Sequence, residues 1–391
     1  MPPTITRIEL VEFTYPVQDL GPSGNGFDTG YCPGASIDRS VLAVRIDTDA
    51  GVSGEYVSGH GPAGPVMTQI ETVAGYLIGE NPLDRERHWT ELKRALRKHD
   101  RMGIGPVDIA LWDLAGKQYG APIHELLGTY RRRIPAYAST YHADDHGGLD
   151  SPEAFADFAE TCLDLGYTAF KLHGWTGDAL DIDREVEMVH AVGDRVGDEM
   201  ALMLDPACAY RTFADALRVG RACDEEGFLW YEDPYRDGGL SQHGHRRLAA
   251  FLDTPLLLTE HVRGLEPHTD FAVNEATDFL RADPDYDGGI TGTMKIAGVA
   301  EGLGLDVEIH APGPAQRHCL AAIRNANYYE MALVHPNCGN ARHMPVYDTY
   351  TDEIDAIDDG GNVPVPSGSG LGIDYDWSYI EAHQERTVTI E

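Results

Sequence analysis

The chain has 391 residues, of which 42% are apolar, and its 64 acidic residues outnumber 30 basic ones to give a formal net charge of −34. This apolar fraction argues against wholesale disorder. The anionic surface repels nucleic acid and anionic membranes, since both bind through basic patches. Residues 1–10 lack a signal-peptide pattern, and no run approaches about 18 apolar residues, so we expect a cytoplasmic protein without a membrane span.

The acidic residues are spread along the whole chain, and only five of the basic residues are lysine. Because concentrated salt screens self-repulsion, this pattern is typical of a protein that stays soluble in brine, and we hypothesise a halophilic source. None of the six cysteines forms a C-x-x-C pair. This spacing predicts reduced thiols and no thiolate metal site.

The first 125 residues or so predict an α+β module. Residues 39–47 alternate and are rich in β-branched side chains, and a turn at residues 49–51 leads into a second strand of a hairpin. The Gly-rich residues 17–33 predict a mobile loop, which we expect to close over a substrate. Residues 66–78 and 83–98 have helical spacing.

From residue 134 onward a short apolar run recurs, each run ending in a polar residue and leading into a helix-like stretch. The runs are PAYAST (135–140), AFKLH (169–173), ALMLD (201–205), FLWYE (228–232), LLLTE (256–260), FLRAD (279–283), VEIH (307–310) and YYE (328–330). Their spacing fits a strand, two loops and one helix in each repeat. Eight buried strands alternating with helices predict an α/β fold with a TIM-like (β/α) barrel.

Chemistry in such a barrel lies at the carboxyl ends of the strands. Asp205, Glu232 and Glu260 end three consecutive strands, so we expect their carboxylates to converge. Like charges at that distance raise one another's pKa, and a hard divalent cation with oxygen ligands relieves the repulsion. These three acids are therefore the predicted ligands of Mg²⁺.

Other strand ends offer groups that transfer protons. Lys171 and His173 lie on the same face of one strand, and burial is expected to lower the pKa of Lys171 so that it becomes a base. His310 and Asp283 end neighbouring strands, and a carboxylate beside an imidazole fixes its tautomer. Two further histidines, His60 and His142, lie in segments expected near the pocket.

Four long segments resemble members of the enolase superfamily, in its mandelate racemase/muconate lactonizing enzyme branch. They are VDIALWDLAGKQYGAPIHELLG (107–128), FLWYEDP (228–234), FLRADPDYDGGITG (279–292) and EIHAPGPAQRHCLAA (308–322). The resemblance implies an N-terminal α+β capping domain (1–125), completed by the tail (340–391), over a (β/α)7β barrel (126–339). It also implies an oligomer of identical chains.

The same resemblance implies roles for the strand-end residues. Mg²⁺ is expected on Asp205, Glu232 and Glu260, with Lys171 on one face of the substrate and the His310–Asp283 pair on the other. Glu330 matches an acid that hydrogen-bonds a substrate carboxylate. The sequence departs from the family where His173 replaces the second lysine of a common Lys-x-Lys pattern, at Ala207, and at the segment Thr259-Glu260-His261.

This set of residues predicts an enzyme that removes the proton alpha to the carboxylate of a small-molecule substrate. We favour a hydro-lyase that dehydrates an aldonate or aldarate to a 2-keto-3-deoxy acid. The alternatives are a racemase or epimerase of a 2-hydroxy acid, a non-catalytic acid-binding relative, and a Schiff-base aldolase that uses Lys171. His173 is expected to act as a second proton shuttle, to hold the substrate or to lower the pKa of Lys171.

Overall fold

A computed structural model describes residues 3–22, 29–340 and 343–391. The N-terminal part is an antiparallel sheet covered by helices. Its elements, in chain order, are β1 (Ile5–Pro22), β2 (Thr29–Thr48), β3 (Ser53–Ser58), α1 (Ala63–Ala74), α2 (Arg85–Ala95), α3 (Ile104–Tyr119) and α4 (Ile123–Leu127). The predicted hairpin and both predicted helices are present.

Strands β1 and β2 are much longer than the sequence indicates. Ile8 and Leu10 alternate into the core, and the pairing continues outward as far as Pro22 opposite Thr29. The prediction of a loop over residues 17–33 is therefore wrong for residues 17–22 and 29–33. Glycines lower strand propensity, but the hydrogen bonds between the two strands outweigh that local signal. Residues 23–28 of the expected loop lie outside the described residues.

A ring of eight parallel strands follows. The strands are β4 (Arg133–His142), β5 (Ala169–His173), β6 (Ala201–Leu204), β7 (Trp230–Glu232), β8 (Leu256–Leu258), β9 (Phe279–Ala282), β10 (Asp306–Ile309) and β11 (Tyr329–His335). Neighbours in sequence are hydrogen-bonded from β4 to β10, and β11 pairs with β4. All eight predicted apolar runs are strands, which confirms the predicted barrel.

Seven helices connect the eight strands, as a (β/α)7β barrel requires. They are α5 (Pro152–Leu165), α6 (Ile182–Val196), α7 (Phe213–Glu226), α8 (Gln242–Ala249), α9 (Leu265–Val273), α10 (Gly289–Leu303) and α11 (Pro314–Ala322). Ser151 and Thr212 cap the starts of α5 and α7 by accepting backbone N–H bonds. Gly166 and Gly227 end the same helices in the left-handed conformation, which glycine adopts without strain.

The lower interior of the barrel is apolar. Tyr137, Ala169, Met203, Trp230 and Leu257 come from five successive strands and form one buried cluster. Burial of each large side chain in such a layer stabilises the fold by about 1.5–3 kcal/mol. This apolar layer fills the interior of the barrel at the level of these five residues.

The tail contacts both parts of the molecule. Its elements are β12 (Gly339–Asn340), β13 (Asn362–Pro364), α12 (Trp377–Ala382) and β14 (Gln384–Ile390). Strand β14 pairs with β1, with Val388 opposite Leu10, so the tail does pack on the N-terminal sheet as expected. Strand β13 pairs instead with β4 of the barrel. The exact domain boundaries stay a prediction. Within the described ranges, none of the helices has both the length and the apolar character needed to cross a membrane.

Candidate active site

Four buried charges form a network above the apolar layer, which we call the floor network: Lys171, Glu232, Arg281 and Glu330. The Lys171 ammonium lies 3.0 Å from a carboxylate oxygen of Glu232 and 3.0 Å from one of Glu330. Arg281 bridges the same two acids from the other side, with its Nε 3.0 Å from Glu232 and its Nη2 2.6 Å from Glu330. Two cations and two anions therefore alternate around one buried centre.

Arg281 is the main residue that the sequence analysis missed. It is 0% exposed and also donates a hydrogen bond to the Tyr137 hydroxyl at 3.0 Å. The sequence does contain a signal for Arg281, because it is a basic residue inside an apolar run, two positions before Asp283. Alternation along a strand places such residues on one face, directed into the barrel.

The expectation that Lys171 has a lowered pKa is wrong. Burial alone does lower it, but the charges of Glu232 and Glu330 act in the opposite sense and raise the pKa of Lys171 well above its usual value. With its side chain 1% exposed, the Lys171 ammonium is held between the carboxylates of Glu232 and Glu330. An ammonium ion is not a nucleophile, and this argues against the Schiff-base aldolase alternative.

Glu330 accepts hydrogen bonds on both carboxylate oxygens. Besides its two cations, it receives bonds from the Ser139 hydroxyl at 2.9 Å and from the Ala311 backbone N–H at 2.8 Å. Burial raises the pKa of Glu330, but the charges of Lys171 and Arg281 outweigh this effect and hold the pKa well below its ordinary range. Glu330 is therefore an ionised acceptor in this structure. Donation of a hydrogen bond to a substrate carboxylate, the role implied by resemblance, stays a prediction.

The three predicted metal ligands do converge. Asp205, Glu232 and Glu260 each place a carboxylate oxygen within 4.8 Å of the others. Burial raises the pKa of Glu232 in spite of Arg281 and Lys171 nearby. The three acids of the cluster outnumber these two cations. An oxygen-only donor set with excess negative charge fits a hard divalent cation such as Mg²⁺.

His173 lies beside this cluster. Its Nε2 is 3.0 Å from Asp205 Oδ2, and its backbone N–H bonds to the Thr140 hydroxyl. Its Nδ1 has no hydrogen-bond partner among the described residues. The ring of His142 meets that of His173 edge to face, with the centroids 5.1 Å apart.

His310 and Asp283 form the expected pair. His310 Nδ1 lies 2.6 Å from Asp283 Oδ2, while its Nε2 lies 3.4 Å from Glu260 Oε1. Burial acts to lower the pKa of His310, but Glu260 and Asp283 raise it to about 9. Tyr286 stacks on the imidazole, and the side chain remains 19% exposed.

These groups line one cavity of about 380 Å³ at the carboxyl ends of the strands. Its wall includes His60, His142, Lys171, His173, Asp205, Glu260, His261, Tyr286, His310 and Glu330. His60 comes from the N-terminal part and bonds to the Pro312 carbonyl at 2.7 Å, so that part forms a side of the cavity. The volume suits a small polar molecule with several hydroxyl groups.

Two family models match the chain. Residues 33–128 match the mandelate racemase/muconate lactonizing enzyme N-terminal domain, and residues 154–379 match the enolase C-terminal domain-like family. The second match covers more than half of the chain. Together they agree with the observed division into an α+β sheet and a barrel.

Curated relatives and solved structures agree with this family. The chain is 29% identical to D-galactarolactone cycloisomerase of Agrobacterium fabrum over 86% of this chain and 89% of that protein. It is 27% identical to D-xylonate dehydratase of Haloferax volcanii, over 89% and 86%. The structure of D-glucarate dehydratase from Agrobacterium tumefaciens, complexed with magnesium, superposes with a TM-score of 0.87 and 30% identity over 98% and 99% of the two chains.

Proposed function

The chain belongs to the mandelate racemase/muconate lactonizing enzyme family within the enolase superfamily, and from this premise we propose that it dehydrates a sugar acid. In this proposal the enzyme removes the proton alpha to a carboxylate, a beta hydroxyl leaves, and the enol product becomes a 2-keto-3-deoxy acid. The observation that carries the proposal is a cluster of three carboxylates, two of which line the same cavity as His173 and His310.

Asp205, Glu232 and Glu260 are the residues that would hold Mg²⁺. Bound there, the cation supplies a Lewis acid that stabilises the negative charge developing on the substrate carboxylate. The floor network supports this arrangement, because Lys171 and Arg281 fix Glu232 from beneath. Lys171 also presents a permanent positive charge to an anionic substrate at the bottom of the cavity.

His310 is the proposed acid and base on one wall. Its Nδ1 is committed to Asp283, so Nε2 is the atom that faces the substrate and takes or gives a proton. Asp283 keeps the ring in this orientation. After His310 has accepted the alpha proton, the same atom is placed to protonate the departing hydroxyl.

His173 is the proposed proton-transfer group on the opposite wall, and Lys171 serves as its charged neighbour. Strand β5 carries His173, and strand β10 leads directly into His310. The two strands are five positions apart in the order of the sheet. The unpartnered Nδ1 of His173 can exchange a proton, whereas the ammonium of Lys171 is held by carboxylates. This assignment gives the histidine of the Lys171-Leu-His173 segment a role that the sequence left open.

The test is a panel of aldonic and aldaric acids incubated with the protein and Mg²⁺ in high salt, with 2-keto acids detected by semicarbazide. Formation of a 2-keto acid by the protein, and its loss in His310→Asn, is the expected result. His243→Asn serves as the matched control, since His243 is an exposed histidine on α8. A panel with no 2-keto acid in any well would contradict dehydration.

A second candidate function is racemisation or epimerisation of a 2-hydroxy acid. Histidines on two walls favour it, because a proton removed from one face can return to the other. The same panel in D₂O, followed by NMR, distinguishes the two reactions: deuterium at the alpha carbon without a 2-keto product indicates epimerisation. Metal binding with neither reaction would support the non-catalytic alternative. Association into a homo-oligomer stays a prediction.

A further inference from the structure

A second group of metal-ligand side chains lies next to the acidic cluster. Cys208, Asp233 and His261 each place one potential ligand atom within 4.8 Å of the other two. Asp233 and His261 directly follow the acids Glu232 and Glu260 in sequence. The carboxyl ends of β6, β7 and β8 therefore each supply one residue to the acidic cluster and one residue to this second group.

Asp233 lacks the partners that a buried carboxylate requires. It is 1% exposed, and neither of its oxygens has a hydrogen-bond partner among the described residues. The nearest basic group is the half-exposed His261, whose Nε2 is 3.6 Å from Asp233 Oδ2. An isolated buried carboxylate costs several kcal/mol, so it needs either a proton or a cation.

The loop after β7 leaves room for this carboxylate. A Cβ atom on Gly239 would lie 2.4 Å from Asp233 Oδ1, so glycine is needed where the loop passes over the acid. Cys208 and His261 both line the cavity, which leaves one side of the group open to small ions. Asp233 is thus buried beside a thiol and an imidazole that both line the cavity.

We propose that Cys208, Asp233 and His261 form a second cation site, which binds a borderline-soft divalent ion such as Zn²⁺. Sulfur, nitrogen and oxygen donors suit Zn²⁺, whereas the all-oxygen cluster beside them suits Mg²⁺. Three protein ligands leave a fourth position open toward the cavity. This proposal revises the sequence-based expectation of no thiolate metal site, since the fold brings together ligands that are far apart in the chain.

Cobalt(II) is the probe for this site, because a thiolate bound to cobalt gives a near-ultraviolet charge-transfer band that oxygen ligands do not give. The full chain, held in excess Mg²⁺, is titrated with Co²⁺. The expected result is a charge-transfer band that saturates at one equivalent and is displaced by Zn²⁺. Cys208→Ser should lose the band, and His261→Ala and Asp233→Asn should weaken Co²⁺ binding at least about tenfold.

Two controls assign the band to this group of residues. Cys32→Ser removes a half-buried thiol on β2, and Asp205→Asn removes a ligand of the acidic cluster; both should keep the band. Circular dichroism verifies that each variant is folded. The proposal is overturned if the folded protein gives no band, if Cys208→Ser keeps it, or if Asp205→Asn abolishes it. Each readout is a spectrum, so the result is independent of whether the chain dehydrates a sugar acid.

Discussion

The floor and the rim of the barrel mouth both bury ionisable groups, but they satisfy them in different ways. On the floor, each charge of Lys171 and Glu330 faces an opposite charge at about hydrogen-bond distance. At the rim, the carboxylate of Asp233 has no hydrogen-bond partner among the described residues, and His310 keeps one nitrogen for the open cavity. On the floor, Lys171 and Glu330 are paired without a ligand, although Glu232 also belongs to the acidic cluster. The rim groups are completed by ions and substrate.

This difference indicates which residues hold the fold and which perform chemistry. Removal of a floor charge leaves its partner buried and unpaired, and this lowers the free energy of unfolding. Removal of a rim group takes away a function while most packing stays. Four measurements test the distinction.

The largest expected effect is on turnover, at the rim. His310→Asn should reduce the rate of alpha-proton removal by about 10²–10⁴-fold, since it removes the acid and base on that wall. The free energy of unfolding should fall by less than about 2 kcal/mol, because one hydrogen bond to Asp283 is lost from a side chain that is 19% exposed. Steady-state kinetics and urea unfolding measure the two quantities. A near-normal rate would remove His310 from the mechanism.

The next effect is on stability, at the floor. Arg281→Met should lower the free energy of unfolding by about 3–5 kcal/mol, because Glu232 and Glu330 each lose a buried partner. Arg324→Ala is the control, since its pair with Glu301 is exposed and its loss is expected to leave the free energy of unfolding nearly unchanged. A loss as small as the control's would mean that the floor network does not hold the barrel together.

A buried acid with neutral partners sharpens the comparison. Glu185 accepts bonds from the Tyr210 hydroxyl and the Trp175 backbone N–H, and burial raises its pKa to about 7, in contrast to Glu330. Because the folded-state pKa lies above the unfolded one, this group's stabilisation is present below about pH 4.5 and is lost as pH rises through about 7.

As the pH rises from about 4.5 to about 7, the free energy of unfolding of Glu185→Gln should therefore fall less than that of the unmodified protein. The difference is expected to reach up to about 3 kcal/mol. Urea unfolding as a function of pH measures the slope. Glu187→Gln, an exposed change on the same helix, should leave the slope unchanged. Parallel slopes for all three proteins would show that Glu185 is ionised normally in the folded state.

The smallest effect concerns the surface. With a net charge of −34, the melting temperature should rise by several degrees between about 0.1 M and about 1 M KCl, as the screening length falls from about 10 Å to about 3 Å. The same rise is expected for Arg281→Met, because buried floor pairs are little screened. Full stability and activity in dilute buffer would contradict the halophile hypothesis.

Most of the barrel could be predicted from the sequence, because short apolar runs and helix-length connections are local patterns. Lys171 and His310 could be located because a strand end sets their position. The pKa of Lys171 could not be predicted, because it depends on Glu330. This residue lies far along the chain and approaches Lys171 only when the barrel closes. Strand β2 shows the same limit, because its start, which contains Gly30 and Gly34, is held by pairing with β1 and not by propensity.

The pairing of β14 with β1 has a consequence for how the molecule assembles. Thr14 and Glu385, which are in contact across this pair, are separated by 371 positions in the chain. During synthesis from the amino terminus, the edge of β1 that pairs with β14 therefore stays unpaired until the ribosome has made the whole barrel and most of the tail. Such a long-range contact makes folding slow and leaves an adhesive strand edge exposed meanwhile. Chaperone protection of nascent chains would matter most in that interval.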